Sequence, residues 1–382
     1  MQTQGYFDLR FEAVRDRFAQ ICETNGQGGA ALCVTIGGET VLDLWGGMAD
    51  SSQEQVWQSD TLVNLFSCTK MFTAVAALQL VGEGRLQLDG PVADVWPEFA
   101  ANGKARITLR QLLCHTAGLP AIRQPLPQDA LYDWRYMVEV LAGQAPWWTP
   151  GAQHGYAAIT YGWLLGELIA RADGRAPGQA IVARTAGTLG LDFHLGLDEQ
   201  EFSRIAYLTR GKNIPLDETA QRLLRALSDD PASLSARAFN NPPSFMSRGN
   251  RPEWRRMVQP AANGHGNARS LAGFYAGLLD GTLLADELVQ EMLREQVRGD
   301  DLTLLAPTRF GLGCWLEQAE VVGASFCMGP EAFGHPGAGG CLGFADPERE
   351  LAFGFVTNSL GPYVQMDPRA QALARTVREC LD

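Results

Sequence analysis

Lysine is scarce in this chain. Only Lys70, Lys104 and Lys212 occur among 382 residues, and serine is limited to 13 positions. Any chemistry that needs an amine beside a hydroxyl therefore has few places to reside. No stretch approaches the roughly 18 uncharged apolar residues of a membrane helix, and the best run, Met71–Val81, is too short. The eight cysteines form no C-x-x-C pair and have no histidine at zinc spacing. No metal site is legible from them, and in a chain of this size they read as buried small hydrophobes in a reducing compartment. The opening MQTQGYFDLRFEAV has neither a basic stretch nor an apolar core, so no secretory signal is visible and a cytoplasmic location is expected. No G-x-S-x-G elbow, phosphate loop or dinucleotide fingerprint appears, and no cofactor is implied. Basic residues are outnumbered 31 to 43, a formal charge of −12. A surface that acidic repels phosphate backbones and anionic headgroups, which argues against nucleic-acid and membrane partners.

What is present describes a packed protein. Hydrophobic residues make up 46% and charged residues 19%, and the length suits two lobes. Phe7, Phe11, Val14, Phe18 and Ile21 fall at helical spacing, so an amphipathic helix is predicted over Phe7–Cys22. Two β-branched runs around Gly37-Gly38 predict a hairpin. A short strand over Thr61–Phe66 then leads into an apolar helix over Met71–Val81. From about 85 to 255 the patterns are helical, among them Leu109–Cys114, Tyr132–Leu141, Thr160–Arg171 and Leu216–Leu227, with no convincing strand between them. Helices over Leu271–Leu279 and Asp286–Arg298 follow. Strands are then expected over Phe310–Leu316, Val321–Cys327, Gly340–Phe344 and Leu351–Val356, and a last helix over Arg369–Leu381. The pattern predicts one sheet built from both chain ends, residues 1–84 and 256–382, with a mostly helical lobe, 85–255, inserted between them and the active site in the cleft.

The most informative tetrad is Ser67-Cys68-Thr69-Lys70. A serine at a helix start lies in the positive field of the helix N-terminus, and a lysine three residues on shares its face. Burial lowers an amine's pKa from about 10.4 towards neutrality, so the amine can then accept the serine proton. With so few lysines and serines, chance supplies only about 0.1 S-x-x-K match. A solvated lysine just inside a helix is the bland alternative. The apolar company from Met71 to Leu80, broken only by Thr73 and Gln79, argues against it.

Four further segments follow in order: Gly84–Val92, Thr108–Pro120 with His115 and Gly118, Pro150–Ala158 with Tyr156, and Gly334–Gly340. With the tetrad they make the chain resemble the serine hydrolases of the class C β-lactamase and penicillin-recognising fold, above all the family VIII carboxylesterases. That resemblance implies an α/β fold with an antiparallel sheet flanked by helices. It also implies Ser67 as nucleophile, activated by Lys70 and Tyr156, with the choice of base between those two left open. The backbone amides of Ser67 and Ala338 would form the oxyanion hole, beside the glycines at 337, 339 and 340.

Two positions depart from the family pattern. Ala158 stands where the lactamases carry an asparagine, and His335 stands where they carry the lysine of K-T-G. Both point away from lactams and peptides and towards neutral small-molecule esters of short acyl chain. His335, Gly337 and Trp148 are the candidate substrate-binding residues, although Trp147-Trp148 serves equally well as packing between the lobes. His115 reads as a hydrogen-bonded structural residue, and Asp89 as a turn anchor. His154, His194 and His265 carry no signal, and Tyr161 is the lesser tyrosine. Amide or lactam hydrolysis and acyl transfer are the alternative reactions of the same acyl-enzyme, and a catalytically idle binding protein is the alternative outside enzymes. Oligomeric state is not legible.

Overall fold

The computed structural model describes residues 3–382 apart from 25, 27, 213, 243–247 and 322. Among the described residues, a ten-stranded antiparallel sheet is assembled from the two ends of the chain. Its order runs Gln4–Phe7, Glu39–Asp50, Gly29–Ile36, Leu351–Thr357, Leu342–Asp346, Phe333–Pro336, Trp315–Leu316, Ala306–Phe310 and Val297–Asp301, with Gln55–Val56 hung on Glu39–Asp50. The seam between N- and C-terminal contributions is the ladder from Leu351↔Ile36 to Thr357↔Ala30. The hairpin at Gly37-Gly38 forms because both residues take positive φ, 57° and 82°, which two-residue hairpin turns favour and which costs glycine nothing.

Helices cover the sheet where the sequence is apolar enough to be buried. The helix Ala268–Leu279 packs on Gly29–Ile36, Leu342–Asp346 and Leu351–Thr357. It approaches closely because paired Gly343 and Gly354 face it: a Cβ on Gly354 would sit 2.3 Å from the Ala268 carbonyl. The terminal helices, Glu12–Thr24 and Pro368–Glu379, pack on each other. The helix Thr69–Gly82 is apolar all round and buried from Thr69 to Leu78. Such a helix is stable only inside a protein. It touches the strand Phe333–Pro336 on one side and the helices Thr160–Asp173 and Pro177–Arg184 on the other. No described helix is long and apolar enough to cross a membrane.

Five expectations need correction. The helix expected over Phe7–Cys22 begins only at Glu12, because Gln4–Phe7 pairs as an edge strand with Glu39–Asp50 and Leu9–Phe11 forms a tight turn between that strand and the helix. Val321–Cys327 forms turns rather than a strand, with residue 322 outside the described residues; Gly323 takes φ 79° and the Phe326 amide bonds to the Glu317 carboxylate instead of a ladder. The strand expected over Phe310–Leu316 is broken at Gly311–Cys314 into a hairpin that pairs Phe310 with Trp315. The helix expected to reach Arg298 ends at Leu293, because Val297–Asp301 is claimed by the sheet edge. The middle of the chain also contains two short strands, Phe193–His194 and Thr209–Arg210. The first joins His265–Gly266 and Val63–Asn64 in a small three-stranded sheet just ahead of Ser67.

Candidate active site

Ser67 occupies the single turn Phe66–Cys68 that leads straight into the helix Thr69–Gly82. Phe66 takes φ 46°, a left-handed conformation rare for a side chain of its size. The bend is bonded from both sides: Thr69 Oγ1 donates to the Phe66 carbonyl at 2.6 Å and accepts the Gly264 amide at 2.9 Å. Ser67 is left 8% exposed.

Lys70 is wholly buried. Its Nζ lies 3.2 Å from Ser67 Oγ, 2.8 Å from the Ala158 carbonyl and 3.0 Å from the Ala261 carbonyl. Burial pushes its pKa well below the ordinary 10.5. A neutral amine has two N–H donors and one lone pair. In the neutral form the two carbonyls take those donors and leave the lone pair for the serine hydroxyl, the arrangement of a general base. Position 158 thus still holds the lysine although its side chain is a methyl, because the backbone carbonyl does so.

Tyr156 completes the cluster. Its ring centroid lies 4.7 Å from Lys70 Nζ, and Ser67 is the side chain that acts on its hydroxyl. Burial raises the phenol's pKa, and the neighbouring Ser67 side chain only partly opposes that. Burial therefore acts in opposite senses on the pair, favouring the neutral amine of Lys70 and the protonated phenol of Tyr156. Tyr156 sits on a segment without helix or strand. Its amide bonds to the Asp301 carboxylate at 2.9 and 3.1 Å, and the next amide, of Ala157, donates to His115 Nδ1 at 3.2 Å. The structural reading of His115 agrees with that bond. Tyr161 is buried nearby, its ring centroid 5.7 Å from Lys70 Nζ.

The Gly337–Gly340 turn, which contains Ala338, follows the strand Phe333–Pro336 and abuts the nucleophile's segment. Cys68 Sγ donates to the His335 carbonyl at 3.2 Å, and a Cβ on Gly337 would meet the Leu65 carbonyl at 2.4 Å. Only glycine admits that approach. The turn is clamped from behind, where Arg369 Nη2 donates to the Gly339 carbonyl at 2.9 Å. His335 is buried rather than presented to solvent; its Nδ1 donates to the Pro336 carbonyl at 2.7 Å. Burial is the leading cause that pushes its pKa down to about 3, so it is neutral at ordinary pH. Trp148 is half-buried, donates Nε1 to the Thr116 carbonyl at 3.3 Å and packs against Gly155, next to Tyr156. Among the described residues, no group of three His, Cys, Asp or Glu side chains is placed to hold a metal ion.

The sequence reading placed Ser67, Lys70, Tyr156, Gly337 and Ala338 around one site, and the fold brings their segments together. It passed over Asp301 and Arg369. Both act on backbone groups of distant loops, which leaves no spacing pattern to read.

A sheet closed from both chain ends around a buried S-x-x-K helix defines a serine hydrolase of the β-lactamase fold. The β-lactamase family model matches residues 14–377, and the chain belongs to that family. The esterase/beta-lactamase LipL of Mycobacterium tuberculosis is 33% identical over 374 residues, 95% of this chain and 85% of its own. Among solved structures, a penicillin-binding-protein homolog from Caulobacter crescentus superposes with a TM-score of 0.88 at 35% identity, covering 100% of both chains. A family VIII carboxylesterase does so with a TM-score of 0.88 at 32% identity, again over 100% of both chains.

Proposed function

We propose that the protein is a carboxylesterase that cleaves short-chain esters through an acyl-Ser67 intermediate. One observation carries this reading: a fully buried Lys70 whose Nζ lies 3.2 Å from Ser67 Oγ and is held there by two backbone carbonyls, with burial favouring its neutral form. Lys70 takes the serine proton as Oγ attacks the ester carbonyl. The amides of Ser67 and Ala338 receive the oxyanion, each such donor typically worth about 3 kcal/mol. Collapse breaks the bond to the alcohol oxygen, and the proton returns from Lys70 to that oxygen by way of the Tyr156 hydroxyl. Water then hydrolyses the acyl-serine by the same path in reverse. The site lies in the cleft between the sheet lobe, residues 1–84 and 256–382, and the helical lobe, 85–255.

The preference for neutral esters rests on what the site lacks. A neutral, buried His335 offers no charge to a substrate carboxylate. Ala158 offers no side-chain amide to a peptide or lactam. A recess of about 600 Å³ with a mixed lining, including Leu208, Ile214 and Leu360 but also Thr209, Arg210 and Asn250, lies beside the turn, where Leu360 packs on Gly339. The carboxylesterase among the solved structures and the relative named as an esterase point the same way. That relative's name also includes β-lactamase, so lactam cleavage is the second reading.

The test compares initial rates on p-nitrophenyl butyrate and on a chromogenic cephalosporin, with Ser67→Ala as control. Ester turnover should dominate and fall by about a thousandfold or more in Ser67→Ala. Cephalosporin turnover above ester turnover would make the protein a lactam-cleaving enzyme. Ester turnover that survives Ser67→Ala would remove the acyl-serine mechanism.

A further inference from the structure

Tyr156 must hold its hydroxyl against Ser67, yet it lies on a stretch with no regular secondary structure to hold it. The turn after the edge strand Val297–Asp301 supplies the missing support. Asp301 is buried to 1% exposure, and its carboxylate accepts three amides: Tyr156 across both oxygens at 3.1 and 2.9 Å, Thr303 at 2.8 Å and Leu304 at 2.8 Å. The same turn grips the residues on the N-terminal side of Tyr156. The Leu302 amide donates to the His154 carbonyl at 3.2 Å, and Thr303 Oγ1 packs so closely on Gly155 that a Cβ there would lie 2.8 Å away.

A buried carboxylate is costly unless its charge is compensated. Among the described residues no arginine or lysine pairs with Asp301. The group in ion-pair range is His154, whose Nε2 is 3.9 Å away and is bonded at 2.8 Å to Thr308 Oγ1. Capping the Thr303–Leu304 turn alone needs only one oxygen, since both of those amides bond to Oδ1. The second oxygen is committed to Tyr156.

We propose that Asp301 is a positioning residue for the hydrolytic reaction: it fixes the backbone of Tyr156 and so aims the tyrosine hydroxyl at Ser67. The inference rests on the reading of Tyr156 as the hydroxyl partner of Ser67. Asparagine cannot replace the carboxylate fully, because its NH2 would face an N–H where the carboxylate offers a second acceptor.

The experiment is a double-mutant cycle on p-nitrophenyl butyrate with Asp301→Asn and Tyr156→Phe, each checked for folding by circular dichroism. Asp301→Asn should lower kcat about ten- to a hundredfold with KM within about twofold, as expected for a misaimed catalytic group. In the Tyr156→Phe background, where no hydroxyl remains to be aimed, it should change kcat by less than about twofold. An equal loss in both backgrounds would make Asp301 a general structural residue and overturn the inference. A near-normal rate for Tyr156→Phe alone would overturn the reading of the site, and the inference with it. If Asp301→Asn does not fold, Asp301→Glu enters the same cycle, since it keeps the acceptors but displaces them by one methylene. Failure of both to fold would make Asp301 a determinant of the fold alone and would also overturn the proposal.

Discussion

Two of the three lysines are buried, and comparing them isolates what makes one a candidate base. Lys104 donates to the Ala101 and Gln144 carbonyls, and burial lowers its pKa to about 8, yet it has no hydroxyl beside it. Lys70 has the same pair of carbonyl acceptors plus Ser67 Oγ at 3.2 Å, and its pKa is pushed well below the ordinary 10.5. Burial alone therefore tunes an amine, and the adjacent serine gives it a reaction. The sign of the pH dependence follows. Ester turnover should rise with pH as the Lys70 ammonium loses its proton, and should level off once the amine is neutral. The lowered pKa moves that rise to more acidic pH than a free lysine would show. His335, with a pKa near 3, stays uncharged above about pH 4 and cannot be its source. A pH–rate profile on p-nitrophenyl butyrate checks this: His335→Gln should leave the position of the acid limb unchanged. Lys70→Ala should lower turnover by orders of magnitude at every pH. A limb that moves in His335→Gln would assign the titration to the histidine.

At the scale of elements, what the sequence disclosed depended on how local each signal is. The Ser67 helix was legible because an apolar run interrupted only by Thr73 and Gln79 and ending at glycine has one physical solution, a buried helix. The Gly37-Gly38 hairpin was legible because its turn chemistry lies within two residues. The strand expected over Val321–Cys327 failed because a β-branched composition does not by itself secure a ladder partner, and a turn at Gly323 won. The support of Tyr156 by Asp301 was not legible, since the two lie 145 positions apart and join through a backbone amide that any residue possesses. The Gly337–Gly340 turn falls between these cases: its glycines were visible, but the contact requiring them was not. That contact makes a strong prediction. In Gly337→Ala the new methyl would sit 2.4 Å from the Leu65 carbonyl, a backbone atom that cannot swing aside, so the turn must move away from Ser67. The expected loss is about a hundredfold in kcat, the scale of removing one oxyanion donor. Steady-state kinetics with a matched melting curve measure it. A kcat within a few fold of the parent would remove the turn from the oxyanion hole.

For the molecule as a whole, the seam between Gly29–Ile36 and Leu351–Thr357 and the small sheet of Val63–Asn64, His265–Gly266 and Phe193–His194 tie distant parts of the chain into one structure. Groups buried in that structure link its stability to pH. His265 and His335 are both fully buried, and burial pushes each from an ordinary 6.5 to about 3. Below pH 6.5 the unfolded chain takes up protons that the folded chain refuses, so stability falls as pH drops from about 6.5 towards about 3. Between pH 6.5 and 5 each histidine contributes a loss of roughly 2 kcal/mol. The raised carboxyls of Asp301 and Glu317 act in the opposite sense, favouring the folded state in acid above their ordinary 3.8 and 4.5. The carboxylate of Asp173, lowered by its bonds to Arg175 and Arg184, adds to the acid loss only at still lower pH. In the window from pH 7 to 5 the histidines should prevail, and the melting temperature should drop by about 5 °C or more. His265 sits in the small sheet just ahead of Ser67 but is none of the proposed catalytic groups, so His265→Gln changes the acid response of stability without removing one of them. Scanning calorimetry at pH 7, 6 and 5 should show a shallower drop in that variant. The remainder should be carried by His335 and by His115 and His154, whose pKa values burial also lowers, and ester turnover at pH 7 should be retained. A drop as steep as the parent's would mean that His265 already carries a proton in the folded protein, or that the acid loss originates in groups other than the buried histidines.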